Sequence, residues 1–290
     1  MEVVLLGAFA ALAAALCWTL ASSLWRRLPT SLSAVQLNLF KNWLALTMLV
    51  PWVLARPWPA APGPLVLLAL SGVLGIALGD SLYFSALRRL GTRRTLTIDA
   101  GGPAVAALGG MVWLAEVPEL LQWIGLGLIT LALLLVALQR PPGVAEGRLQ
   151  LQGIALALGA LLCGSVGALI SRAALREAAF DPLQSALVRI VAAAVVLLPL
   201  LRGWRRWSWG PRPLAQRWPL GLLATLLGTT TGIALQQMAL QRLPGGVAVA
   251  LLATAPLMAI PLAHWEGDRP GWRGWLAALL ALAGVTALVA

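Results

Sequence analysis

The chain has 290 residues, of which 60% are hydrophobic and 11% charged, with a formal charge of +11. A soluble domain carries about 25% charged residues, so a water-soluble globular fold is excluded. The arginines sit between apolar runs, where they flank membrane spans and form no nucleic-acid-binding face, so no nucleic-acid partner is expected.

Runs near the ~20 residues needed to cross a bilayer core read as transmembrane helices. Ten are expected, at residues 3–24, 32–54, 64–87, 95–115, 120–138, 151–175, 182–201, 218–240, 246–265 and 272–290. The first follows Met1-Glu2 without a basic leader region and reads as a retained helix. A polar link divides the chain into units 1–138 and 151–290, with 139–150 as the linker. The longest basic loop, 202–217, carries Trp204, Trp207 and Trp209, which suit an interfacial belt.

The two units repeat one another. The stretch Ala86-Leu87-Arg88-Arg89-Leu90 running to Pro103 returns as Ala239-Leu240-Gln241-Arg242-Leu243 running to Pro256, a shift of 153. At a shift of 146, Gly7, Leu12, Cys17 and Arg26 fall on Gly153, Leu158, Cys163 and Arg172. At 148, Lys41 falls on Arg189 and Pro51 on Pro199, and at 152, Trp113 and Trp123 fall on Trp265 and Trp275. A unit of five spans ends on the opposite side of the membrane from its start, so the second copy inserts upside down. The expected fold is an all-α membrane protein: ten transmembrane helices built as two inverted five-helix repeats. That arrangement suits alternating access, with a site near the midplane between the halves. The two repeated stretches are expected to be equivalent helix junctions on opposite faces.

With Lys41 and Arg189 set aside, and Arg172 and Arg273 at span ends counted with the adjoining loops, the odd-numbered loops hold 15 Lys and Arg and the even-numbered loops four. The positive-inside rule therefore places both termini outside the cytoplasm. Twenty of the 21 basic residues are arginine, a skew that suits a GC-rich bacterial genome, and the expected location is the bacterial inner (plasma) membrane.

Three pieces of the chain resemble a known family. Cys17-Trp18-Thr19-Leu20-Ala21-Ser22 resembles a Trp-containing first helix, and the Ala-Leu…Pro stretches resemble third-to-fourth and eighth-to-ninth helix junctions. Glu116…Gln122-Trp123-Ile124-Gly125 and Gly267-Asp268-Arg269 resemble a Gly-Glu-Arg turn before the fifth and tenth helices. Together they are similar to the drug/metabolite transporter superfamily, in particular its ten-helix EamA-type members. The first turn, Ala115-Glu116-Val117, departs from the pattern by lacking its Gly and Arg, and the second has Asp268 in place of Glu. The resemblance implies a secondary transporter, an exporter of small organic metabolites such as amino acids or drug-like compounds. The alternative is a flippase for a lipid-linked carrier, with Lys41, Arg93, Arg94 or Arg189 holding its phosphate. Family members usually have cytoplasmic termini, against the charge rule.

Ionisable groups inside spans cost ~3 kcal/mol each on insertion scales, so each is a candidate for function. Asp80, in the third span, reads as a coupling or cation-binding group, or as a partner of Arg93 or Arg94. Asp99, about one turn into the fourth span, with Arg93 and Arg94 forms a charged cluster absent from the second copy, a candidate for gating or coupling. Lys41 and Arg189 keep a cation in both copies, which favours a scaffold role. The substrate cavity is assigned to Trp18, Asp80, Tyr83, Ser165, Thr229 and Gln236. In a straight helix Thr229 and Gln236 share one face, and Gln236 matches Tyr83. Gly75-x-x-x-Gly79 and Gly228-x-x-x-Gly232 read as packing motifs, and Pro103 and Pro256 as kinks that expose carbonyls. His264, beside Trp265 near a helix end, is left out of the site.

No ATP-binding loop occurs. An intramembrane enzyme would need a nucleophile–base pair or metal ligands. The chain has one His and two isolated cysteines, Cys17 and Cys163, so neither enzyme activity, cofactor nor metal is expected. The expected partners are membrane lipid and a small-molecule solute, with the chain a monomer or weak homodimer through its fifth and tenth spans.

Overall fold

In the computed structural model the described residues are 2–26, 28, 33–54, 56–137, 148–201, 214–258 and 272–290. For 26, 91–94, 96, 97, 136, 137, 148–150, 200, 201 and 214–217 the backbone alone is described. The basic loop with its three tryptophans, His264 and the Gly267-Asp268-Arg269 turn lie outside the described residues.

The described residues form ten helical segments and no strand. They are α1 (Glu2–Arg26), α2 (Ala34–Val53), α3 (Pro62–Gly72, Val73–Gly79 and Asp80–Asp99 without interruption), α4 (Gly102–Leu114) and α5 (Leu120–Ala137). The second unit gives α6 (Arg148–Glu177), α7 (Pro182–Leu197 with a tight final turn Leu198–Leu201), α8 (Leu214–Thr225, Leu226–Thr231 and Gly232–Arg242), α9 (Gly245–Met258) and α10 (Trp272–Val289). Five of these are long and apolar enough to cross a bilayer by themselves, in α1, α3, α6, α8 and α10.

The helix starts repeat along with the sequence. Ser33 caps α2 by accepting from Gln36 N, and Gln36 Oε1 accepts from Ser33 N at 2.9 Å. At a shift of 148, Asp181 and Gln184 make the same reciprocal box on α7. Such boxes satisfy orphan N–H groups at a helix start.

Packing follows a pseudo-two-fold. Helix α1 lies along α8, as α6 lies along α3, and α2 packs on α7, α4 on α9 and α5 on α10. Exchanging the two units maps this set of pairs onto itself. Individual contacts obey the same exchange. A methyl group on Gly7 would come within 2.8 Å of Leu243 Cγ, and one on Gly153 within 2.6 Å of Leu90 Cγ. Gly75 opposes Gly167, and Gly228 opposes Ala21, so the two Gly-x-x-x-Gly segments seat α3 on α6 and α8 on α1. Helices α5 and α10 use their small residues on each other, with Gly125 against the carbonyl of Gly284.

One expectation fails. The first copy has no break near residue 91; α3 stays helical to Asp99 and turns at Ala100–Gly101. The second copy does break there, at Leu243-Pro244, where Leu243 is extended (φ −115°, ψ 150°). Pro244 matches Gly91. Proline lacks the N–H, clashes with the preceding turn and drives the residue before it out of helical geometry. Glycine in a helix costs only about 1 kcal/mol. Asp99 is thus the last residue of α3, not an interior residue of the fourth span.

Candidate functional site

Helices α3 and α8 each contain one wide, π-type turn, Val73–Gly79 and Leu226–Thr231, at starts 153 residues apart. Such turns shift the backbone hydrogen-bond register and gather at functional sites. The two copies satisfy them differently.

The first turn faces a polar side of α2. Asn38 Nδ2 donates to Ile76 O at 2.7 Å and to Ser81 Oγ at 3.1 Å. Asn42 Nδ2 donates to Asn38 Oδ1 at 3.3 Å. Lys41 Nζ donates to Asp80 Oδ2 at 2.6 Å, directly after the wide turn. Positions 38, 41 and 42 share one helical face. Lys41 is buried, whereas the Asp80 side chain is 37% exposed and forms the open end of the cluster. Asp80 therefore pairs with Lys41, in place of the partners Arg93 and Arg94 considered from the sequence, whose side chains lie outside the described residues.

The second copy keeps only the cation. Asn38 and Asn42 match Ala186 and Ile190, both fully buried. Arg189 Nη1 donates to Gln236 Oε1 at 2.9 Å. Within the second wide turn, Gly228 O accepts from Trp18 Nε1 at 2.9 Å, and the indole lies over Gly232. The match of Trp18 in the second unit is Gly164, which sits beside Gly79 of the first wide turn. Trp18 thus fills on one side a space that its counterpart leaves to glycine.

Both prolines lie just after a helix break, at Ala100–Gly101 before Pro103 and at Ala253–Thr254 before Pro256. The carbonyl preceding each proline accepts a hydroxyl from the opposite unit. Thr19 Oγ1 lies 2.7 Å from Ala255 O, and Ser165 Oγ lies 3.5 Å from Gly102 O. Thr19 and Ser165 match at a shift of 146, and Gly102 and Ala255 at 153. These cross-unit bonds tie each broken helix to the first helix of the other half.

The structure also places the other residues assigned to the site. Tyr83 is half-buried, stacks edge-on against Phe84 and lies within electrostatic range of Asp80 and Asp99. Asp99 has no ion pair among the described residues. Thr229 is buried inside the second wide turn. That turn interrupts the 3.6-residue register, so Thr229 and Gln236 are not phased as in a straight helix. Gln237 instead accepts from Ser171 Oγ at 2.5 Å and joins α8 to α6. Asp80, Lys41, Gln236 and Arg189 gather around α3 and α8. Trp18 contacts the second wide turn, and Ser165 the helix break before Pro103. An apolar groove of about 330 Å³ between α4 and α5 is lined by Ala104, Trp123 and Thr130 among others, and none of the site residues above is in its lining.

A family model for the EamA-like transporter family matches residues 5–138 and again 151–290. The chain belongs to the EamA-like transporter family. Each match covers one of the two units read from the sequence, and the family makes the chain a multi-pass membrane transporter of small molecules. No curated protein matches. One solved crystal structure superimposes with a TM-score of 0.75 at 16% identity, over 97% of this chain and 95% of its own, a likeness of fold.

The departure of this EamA-like chain from the Gly-Glu-Arg turn has a backbone consequence. Ala115 has φ 54° and ψ 31°, the left-handed conformation, as the cap of α4. It occupies the position of the pattern's glycine, which the second copy keeps as Gly267. A side chain in this conformation costs about 1–2 kcal/mol, partly offset by glycine's greater chain entropy. Ala115→Gly is expected to raise the thermal unfolding midpoint in detergent, and a lowered midpoint would contradict the strain.

Proposed function

We propose that the protein is a secondary transporter that exports small organic metabolites across the bacterial inner membrane, by alternating access at a central site between the two units. The observation that carries this reading is the pseudo-two-fold pairing of helices combined with unequal chemistry at its two wide turns. A symmetric scaffold supplies two equivalent conformations, and asymmetric charges let solute or proton distinguish them. Asp80 is the proposed coupling group, with Asp99, Arg93 and Arg94 as gating residues. Trp18, Tyr83, Ser165, Thr229 and Gln236 are proposed to line the solute path. Lys41 and Arg189 are 8% and 2% exposed, against neighbouring helices. Cations placed there suit a solute entering from water better than the headgroup of a lipid-linked carrier. The proposed working form is a monomer, because α5 and α10 already pack on each other.

The test is transport in proteoliposomes under an imposed pH gradient. Asp80→Asn is expected to abolish gradient-driven flux while solute exchange persists. Asp80→Glu, which can still meet Lys41, should recover part of it. An unchanged pH dependence in Asp80→Asn would remove Asp80 from coupling. Folded yield is followed in parallel, because the substitution leaves the buried Lys41 without its carboxylate.

A further inference from the structure

The matched cations Lys41 and Arg189 differ in what balances them. Lys41 meets Asp80 at 2.6 Å. Arg189 is 2% exposed and makes one hydrogen bond among the described residues, from Nη1 to the neutral amide of Gln236. Its Nε has no partner among them. No carboxylate lies within ion-pair distance of it among the described residues. Asp80 is within electrostatic range but is already held by Lys41. Among the described residues, Asp80 is the one carboxylate at ion-pair distance from either cation, and it is on Lys41.

The geometry of the unused donors is specific. With Nη1 engaged, Nε and Nη2 remain, the side-on edge of a guanidinium that meets the two oxygens of a carboxylate in parallel. Nη2 points at Gly75 in the first wide turn, where an added methyl group would lie 3.1 Å from it. Gly75 presents no side chain to this edge, and a larger residue there would press on Nη2. A desolvated guanidinium with a single neutral acceptor is costly, and a bound anion offsets that cost. The Asp80 side chain, 37% exposed, is the open end of the cluster.

Building on the transport function proposed above, we propose that Arg189 is the anion-binding residue of the transport site, holding the carboxylate of a small organic acid or zwitterion through Nε and Nη2. Gln236 orients the guanidinium by occupying Nη1. The cation itself belongs to the scaffold, since both units keep one. What is particular to the second unit is that, among the described residues, its cation has no carboxylate at ion-pair distance.

Thermal unfolding of the purified protein is measured with acetate, benzoate, L-alanine and L-phenylalanine, each beside its uncharged-carboxyl amide. At least one carboxylate is expected to raise the midpoint by mass action while its amide does not. Gln236→Glu supplies an internal carboxylate. It should leave the unliganded midpoint unchanged or raised and weaken carboxylate binding at least tenfold. Arg189→Lys keeps the charge but loses the side-on edge and should weaken binding similarly. The proposal is overturned if no carboxylate shifts the midpoint, if acids and amides act alike, or if Gln236→Glu binds with wild-type affinity. Flux in proteoliposomes separates this from the broader function. Transport of amines or neutral solutes that survives Arg189→Gln would sink the carboxylate site and leave the transporter. Absence of any flux beside acid-selective binding lost in Gln236→Glu would do the reverse.

Discussion

Replacing Gly72 by alanine is expected to prevent recovery of folded protein, while the same change at Gly63 leaves stability unaltered. A methyl group on Gly72 would stand 2.2 Å from Arg189 O, 2.6 Å from its Cα and 2.7 Å from its carbonyl carbon. All three are main-chain atoms of α7, so no rotamer change relieves the overlap. Helices α3 and α7 must separate, and overpacking of this kind costs about 1–3 kcal/mol or more when backbone moves. The displaced residue is Arg189 itself, so its bond to Gln236 is disturbed as well. Gly63 has nothing within 4 Å of the added methyl and controls for propensity. Size-exclusion profiles and unfolding midpoints in detergent decide the matter. A Gly72→Ala protein as monodisperse and stable as Gly63→Ala would show that the two helices do not meet this closely.

Gly72 also marks a limit of what the sequence reveals. The packing glycines found by comparing the two units, Gly75 with Gly228 and Gly79 with Gly232, do seat helix on helix. Gly72 matches Thr225, whose side chain is fully buried, so the comparison passes over it. The fold is legible because it is written twice: apolar runs mark the helices, and matched residues such as Gly7 and Gly153 make matched contacts. The junction at residue 91 is misplaced from sequence because identity at Ala86, Leu87 and Arg89 outweighs the single Gly91-for-Pro244 difference that decides the backbone.

The site is less legible for a related reason. Repeat matching sets Lys41 against its copy Arg189, and chain proximity sets Asp80 against Arg93 and Arg94. The actual pairing of Lys41 with Asp80 runs between consecutive antiparallel helices. The signal is present, because a buried cation in the second span and a carboxylate in the third each need a partner. The wide turns have no marker in the residues. What distinguishes them is tertiary: the α3 turn meets the side-chain amide of Asn38, and the α8 turn meets the indole of Trp18. Thr19, the true match of Ser165, is hidden beside the more conspicuous Trp18.

Glu116→Ala is expected to cost about 3–5 kcal/mol, the penalty for leaving a buried charge without its partner. The Glu116 side chain is 11% exposed and that of Arg172 is 13% exposed. Arg172 Nε donates to Glu116 Oε1 at 2.8 Å, while its Nη1 donates to the carbonyls of Leu240 and Gln241 at 2.8 and 2.9 Å. Glu116 Oε2 accepts from Gly245 N at 2.6 Å. One carboxylate thus caps the start of α9, where the helix dipole favours negative charge. One guanidinium caps the end of α8. The pair fixes the Leu243-Pro244 break between them and ties the α4–α5 turn to α6. Glu116→Gln retains the acceptor for Arg172 but loses the charge, so it should fall between alanine and wild type. Arg172→Ala should destabilise similarly, and the double variant should cost clearly less than the sum of the singles. A double-mutant cycle on unfolding midpoints measures that coupling. Strict additivity would mean that the two residues act independently, and that the proline break at Leu243-Pro244 is held by the chain's own stereochemistry alone.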